Sequence, residues 1–280
     1  MKRIVLAVVA LLLPAGAATA AQAATTIAPP PGVQVSGMTY LPGAHVPATH
    51  LPPVTPVNGT LQSSNWSGYA DLTCGTCAVR YVAVSFRLPS VNCAKSPDGS
   101  AVAFFAGLDG IGDTTVEQIG ATVLCSGGKA SYLAFYEMFP LNPVAFSGVH
   151  PGDAISVSVY FNAATKHWQL ALADVTNGGK IAASKTCPAG STCRNRSAEV
   201  ITEAPSDSSG TVLPLADFGQ ASYTGIQVTS RNGTHGAMVS NGLWTTDALD
   251  MLGSAGNTLA APGPVQSGGR AFQDTWHAAS

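Results

Sequence analysis

Residues 114–124 read "TTVEQIGATVL", with Val116, Ile119, Val123 and Leu124 placed as in a strand of a packed sheet. Glu117 and Gln118 stand side by side in the middle of it. Adjacent residues on a strand point to opposite faces, so if one face is core, one of these polar groups is turned toward something that meets it. The face of Gln118 also carries Val116, Gly120 and Thr122. Small residues beside an amide leave the kind of gap that a ligand lying across a sheet needs.

Outward from this stretch, similar runs recur: "YVAVSFRLP", "AVAFFAGLDG", "SYLAFYEMFP", "AISVSVYFN", "HWQLALADV", "AEVITEAP" and "LADFGQASYTGIQV". Gly, Asn, Asp, Pro and Ser turns such as "NGG" and "RNG" separate them. Beyond the N-terminal apolar run no window sustains a helical period, and there is no internal repeat. With 30 glycines and regular turns, the pattern implies an all-β fold, a two-sheet sandwich or a barrel rather than βαβ units.

Residues 1–23 carry Lys2 and Arg3, the apolar run "IVLAVVALLL" and Ala-x-Ala cleavage sites after Ala20 or Ala23. That is a secretory signal peptide, too short in its apolar part to span a bilayer. Residues 24–61 are proline-rich, and up to residue 60 hold no Asp, Glu, Lys or Arg. Such a segment is expected to be extended, a linker or pro-segment unable to bury a core, in which His45 and His50 would charge on acidification. Residues 62–280 form one domain.

The six cysteines lie beyond the signal, which in an exported chain implies disulfides rather than a zinc site, since only one Cys-x-x-Cys pair exists. We expect Cys187 with Cys193, Cys93 with Cys125, and Cys74 with Cys77, although spacing alone leaves every pairing open. Without Lys2 and Arg3, 11 basic residues face 15 acidic ones, a balance that argues against nucleic acid or an anionic membrane as partner. The secreted chain is expected to be a monomer. Charged residues are only 10% of it, so few native charge pairs exist for acid to remove.

No His-Glu-x-x-His, Gly-x-Ser-x-Gly, Asp-Thr-Gly or Asp-Ser-Gly motif is present, and nothing flanking the histidines supports a Ser/His/Asp triad. Polar groups inside apolar strands remain: Asp109, Gln118, Glu137, Glu199 and Glu203. Singly, Asp109 reads as a turn residue, Glu117 as solvent-facing and Glu203 as a strand end. Glu137 shares its face with Leu133, Phe135 and Phe139, where an unpaired carboxylate is costly unless protonated or bonded.

The order "SSNWSGYA", "FAGLDG", "VEQIGA", "YLAFYEMFP", "AEVITEAPS", "LPLADFG", continuing to "LAAPGPVQSGGRAFQDTW", resembles the glutamic peptidases, the eqolisin family of acid endopeptidases, in particular its bacterial branch. The resemblance covers roughly residues 62–276. It implies a sandwich of two curved antiparallel sheets, of the concanavalin A-like or jelly-roll type, with a Gln/Glu dyad on the concave face and no metal or cofactor. By position the catalytic pair would be Gln118 and Glu199. Glu137 would support the dyad, Asp109 would match the family's Gly-Ile-Asp-Gly aspartate, and Asn65 and Trp66 the start of the mature domain. Phe105 stands where the family usually has Trp, and Leu133, Phe135 and Thr122 replace Asp, Trp and an acidic residue of relatives, implying a less acidic, more apolar cleft.

Such a dyad would hydrolyse peptide bonds, the glutamate acting as base on a water and then as acid, the amide stabilising the oxyanion. Two other readings share the architecture. A lectin-like module would present Phe105, Phe135 and Phe139 to a sugar, and a glycoside hydrolase would pair Glu137 with Glu199.

Overall fold

The computed structural model describes residues 27–280 apart from 45–46, 50, 52–53, 58–59 and 74–76. The signal peptide, His45, His50 and the Cys74 end of the expected Cys74–Cys77 bridge lie outside the described residues.

Within them the regular structure is all strand. β1 (Val33–Ser36), β2 (Thr39–Tyr40) and β3 (Thr55–Val57) belong to the proline-rich segment, and β4 (Thr60–Ser63) and β5 (Trp66–Thr73) follow. Then come β6 (Val79–Arg87), β7 (Ala101–Asp109), β8 (Val116–Ser126), β9 (Lys129–Phe139), β10 (Val144–Ser147), β11 (Ala154–Asn162) and β12 (His167–Asp174). β13 (Lys180–Lys185), β14 (Ser197–Glu203), β15 (Gln220–Ser230), β16 (His235–Gly236), β17 (Trp244–Leu252), β18 (Thr258–Pro262) and β19 (Phe272–Trp276) complete the chain.

The pairings define two layers. The front layer runs β2-β10-β9-β8-β7-β14-β5-β17, and the back layer β1-β13-β12-β11-β6-β15-β19. β18 bonds to both β17 and β19 and so nearly closes the sheet. These pairings are antiparallel; β4 on β17 is parallel.

The layers differ in how they meet water, and that difference positions the site. In β11, "AISVSVYFN", buried and half-buried residues alternate strictly, so Ile155, Val157, Val159 and Phe161 face the front layer while Ser156 and Ser158 face outward. This is the signature of a sheet with one solvated side. Every residue of β7 and β14 is buried. Their inner faces join the main core with Val102, Phe104, Ala106, Ala198 and Val200. Their outer faces join a second apolar cluster of Trp66, Phe105, Val116, Phe135, Ile201 and Leu249, against which Leu51, Val54 and Ile111 pack.

The described residues of the proline-rich segment are docked rather than free. β1 adds to the back layer on β13, β2 to the front layer on β10, Val33 joins the core, and Thr49 is buried. Sheet pairing thus starts well before Gln62, at Val33 in β1. Proline removes some N–H donors but leaves the carbonyls and the intervening residues able to pair. Two of the expected disulfides are present: Cys93–Cys125 ties the loop before β7 to the end of β8, and Cys187–Cys193 closes the loop that enters β14.

Candidate active site

Register alone brings four side-chain positions into one row across the front layer: Glu199 lies opposite Gly107, Gly107 opposite Gln118, and Gln118 opposite Glu137. Directly opposed residues share a face, so these four positions look to the outer side of β14, β7, β8 and β9. Gly107 contributes no side chain, and a Cβ there would lie 3.1 Å from Val116 Cγ2.

The hydrogen bonds then select among the acids. The Gln118 amide Nε2 donates to Glu137 Oε2 at 2.6 Å and, by a second short bond, to the hydroxyl of Thr49. The same hydroxyl donates to Glu203 Oε2 at 2.8 Å, while the Thr49 backbone N–H leans on Glu137 Oε2 at 3.3 Å. A single Thr49 oxygen thus sits between the amide of Gln118 and the carboxylate of Glu203. Gln118, Glu137 and Glu203 are each at most 1% exposed.

Asn65 fixes the far side of Glu203. Its Nδ2 donates to Glu203 Oε1 at 3.2 Å, its backbone N–H donates to Ser63 Oγ at 3.2 Å, and its carbonyl accepts from Ala204 N at 2.8 Å. Trp66 follows directly, packed edge-on against Phe105 with ring centroids 5.6 Å apart. Phe105 and Phe135 are buried in the same cluster and Phe139 is packed against it half-buried. All four aromatic residues expected near the site therefore line this face.

Glu199 and Asp109 have different surroundings. Neither Glu199 oxygen has a hydrogen-bond partner among the described residues. Burial first, and with it the carboxylates of Asp109, Glu117 and Asp71, push its pKa well above the ordinary value, against partial relief from the nearby Ser197 hydroxyl, which makes no well-formed hydrogen bond to it. Asp109 accepts backbone N–H bonds from Arg194, Asn195 and Arg196 at 2.7, 2.8 and 2.7 Å, which sets the loop that enters β14. It is a strand-end anchor with φ of 68° followed by a glycine, and its carboxylate is spent on that loop. Glu117 turns away from Gln118, as neighbours on a strand must, but is 0% exposed rather than solvent-facing. Its pKa is raised first by burial and then by Asp109.

Glu137 meets the amide directly and Glu203 reaches it through the Thr49 hydroxyl; the strand pattern marks Glu203 only as the residue before Ala204-Pro205. Glu199 and Glu203 lie four apart on the same face of "SAEVITE", and nothing in the local pattern separates them. The signal for Glu203 is tertiary: the β4–β5 corner that carries Asn65, and the segment that carries Thr49.

The surroundings of Glu137 define its protonation. Burial, and after it the charge of Glu203, raise its pKa to about 8, against partial relief from Gln118 and Thr49. In acid it is a neutral carboxyl that accepts the Gln118 N–H. Among the described residues, no group of three or more His, Cys, Asp or Glu side chains is arranged to hold a metal ion.

Comparison with known proteins places the chain in a family. Residues 64–256 match the model of the Peptidase A4 family. Aspergillopepsin-2 of Aspergillus niger is 25% identical over 227 residues, 73% of this chain and 77% of that protein. The fold is shared with scytalido-glutamic peptidase, solved with a peptide-based transition state analog (TM-score 0.63, 22% identity, 76% of this chain and 98% of that one). It is also shared with aspergilloglutamic peptidase from Aspergillus niger (TM-score 0.55, 22% identity, 63% and 99%). The chain belongs to the Peptidase A4 family, the eqolisin-type glutamic peptidases.

Proposed function

We propose that this glutamic peptidase is a secreted, acid-active endopeptidase whose dyad is Gln118 with Glu203, rather than Gln118 with Glu199. The observation that carries the reading is the Thr49 hydroxyl, bonded at once to the Gln118 amide and the Glu203 carboxylate. That oxygen stands in for the nucleophilic water. It accepts from the amide and donates to the carboxylate, the polarity a water needs in order to be held and deprotonated.

In the working site Glu203 takes a proton from the water as the water oxygen attacks the scissile carbonyl carbon. The Gln118 N–H, released from the water position, donates to the oxyanion of the tetrahedral intermediate. Protonated Glu203 then passes its proton to the leaving nitrogen as the C–N bond breaks. Asn65 holds one Glu203 oxygen so that the other faces the water. Glu137, neutral in acid, orients the Gln118 amide and keeps a second negative charge away from Glu203. Export rests on the leader-like residues 1–23 and agrees with the two described disulfides.

The test is peptide hydrolysis in acid by three variants. Glu203→Gln is expected to lower kcat by roughly 10²- to 10⁴-fold, and Gln118→Ala by roughly 10²- to 10³-fold. Glu199→Gln, which replaces a buried acid with an amide of the same shape, is expected to retain wild-type turnover. Loss of turnover in Glu199→Gln together with its retention in Glu203→Gln would overturn the assignment.

A further inference from the structure

We propose that the backbone of Ser206 is the docking point for the main chain of the substrate peptide, and that residues 47–49 fill this track in the unprocessed chain as an intramolecular stand-in. The proposal rests on the dyad reading above and adds how a peptide is laid across it.

Three residues beyond Glu203, Ser206 is the middle of a small three-chain patch. On one side it pairs antiparallel with Val212, with Leu213 N–H donating to Pro205 O at 2.9 Å. On the other it exchanges both backbone bonds with Ala48: Ala48 N–H to Ser206 O at 3.0 Å, and Ser206 N–H to Ala48 O at 2.8 Å. The very next residue, Thr49, puts its hydroxyl on Gln118 and Glu203 and its N–H toward Glu137.

Ala48 and Thr49 thus act as two consecutive residues of an extended peptide, one read by the main chain and one delivered to the acid and amide. Pro47 before them fixes φ and favours the extended form. Remove the segment, and Ser206 is left with an unpaired N–H and C=O beside the dyad. An unpaired strand edge of this kind is what an incoming extended peptide completes. Main-chain pairing is indifferent to side chains, as suits an enzyme that must seat varied peptides. The direction is also defined: the substrate runs antiparallel to residues 205–207, with its paired residue N-terminal to the residue that lies over the dyad.

The same contacts make the full chain latent, since the Thr49 hydroxyl takes the place of the water that Glu203 must activate. The N–H to Ser206 and the hydroxyl are separable by substitution. Ala48→Pro deletes the first, and Thr49→Val deletes the second while keeping the shape of the side chain.

The experiment uses the full chain with Glu203→Gln, so that the bound peptide is not cleaved, and a fluorescently labelled ten-residue peptide whose binding is read by anisotropy. Adding Ala48→Pro and Thr49→Val is expected to tighten peptide binding roughly tenfold or more, a factor that two released hydrogen bonds supply. In that released chain, Ser206→Pro is expected to weaken binding roughly five- to tenfold. N-methylation of the peptide at one backbone position, and no other, is expected to do the same. Unchanged affinity on Ala48→Pro with Thr49→Val overturns the stand-in. Equal binding of every N-methyl analogue, or indifference to Ser206→Pro, overturns the docking point. Should binding behave as stated while chains with Glu203→Gln still cleave the peptide, the dyad assignment fails and the docking track stands.

Discussion

Glu137 and Glu203 approach Thr49 from opposite sides, and two carboxyls so placed do not both ionise at low cost. Burial, and secondly the charge on Glu203, leave Glu137 protonated until about pH 8. Below that pH it accepts the Gln118 N–H as a neutral carboxyl; above it, a second negative charge stands beside the base. Glu137→Gln makes the neutral form permanent. It is expected to keep wild-type kcat/KM in acid and to extend activity further into neutral and alkaline pH, which a pH–rate profile of the two proteins measures; an unmoved upper limb would refute the role. The place of Gln118 on the outer face was legible because "VEQIGATVL" sets it one residue from Glu117 and Ile119, which turn the other way. Glu203 was not, because what distinguishes it from Glu199 is the company of Asn65 and Thr49, 138 and 154 residues away in sequence.

At the level of elements, β8 is pressed onto β7 where Gly120 opposes Phe105. A Cβ at Gly120 would lie 2.0 Å from the Phe104 carbonyl oxygen and 2.7 Å from the Phe105 Cβ. The small residue read as room for a ligand is needed instead for close approach of two strands, two positions from Gln118. Gly120→Ala must push β8 off β7. It is expected to destabilise the fold by about 1–3 kcal/mol and to lower kcat, since the amide moves with its strand; thermal unfolding and turnover measured together check both. Asp109→Ala separates the two effects. It strands three backbone N–H groups of the loop into β14, with an expected loss of about 3 kcal/mol or more, yet touches no residue of the site. Folded Asp109→Ala protein, assayed well below its Tm, should turn over substrate normally. The strands themselves were legible wherever one face is wet, as in β11. In β7 the pattern reads only as a continuous apolar run, and nothing local says whether a second sheet or a docked segment covers the outer face. The proline-rich segment gave no sign of docking because its pairing residues, such as Ala48, carry no periodic pattern.

Over the whole molecule, charge is arranged for acid. Among the described residues the ion pairs are two, His150–Asp153 and the 3.9 Å contact of Arg194 with Asp113, so protonating carboxylates removes little. Several buried acids work in the opposite sense. Burial raises Asp71 to about 8, against a bond from Thr246. It raises Asp274 to about 7, against bonds from Thr202 and Ser67. Glu117 and Glu199 are also raised well above their ordinary value, again by burial first. For an acid whose folded pKa exceeds its unfolded one, the folded state binds more protons, so stability falls as pH rises. The contribution is fully present below the unfolded values of 3.8 for aspartate and 4.5 for glutamate and is lost as pH climbs through about 7 to 8. Each group costs about 1.4 kcal/mol per pH unit within its window, a steep slope against a total of roughly 5–15 kcal/mol. The denaturation midpoint is therefore expected to be highest near pH 4 and to fall toward pH 8. Asp274→Asn keeps an oxygen to accept the 2.8 Å bond from Ser67 but never ionises, so it should match wild type at pH 4 and exceed it at pH 8. Chemical denaturation at the two pH values decides the matter: stability that is level or rising toward pH 8, or a variant that gains nothing there, would mean that these carboxyls find compensation in the folded state.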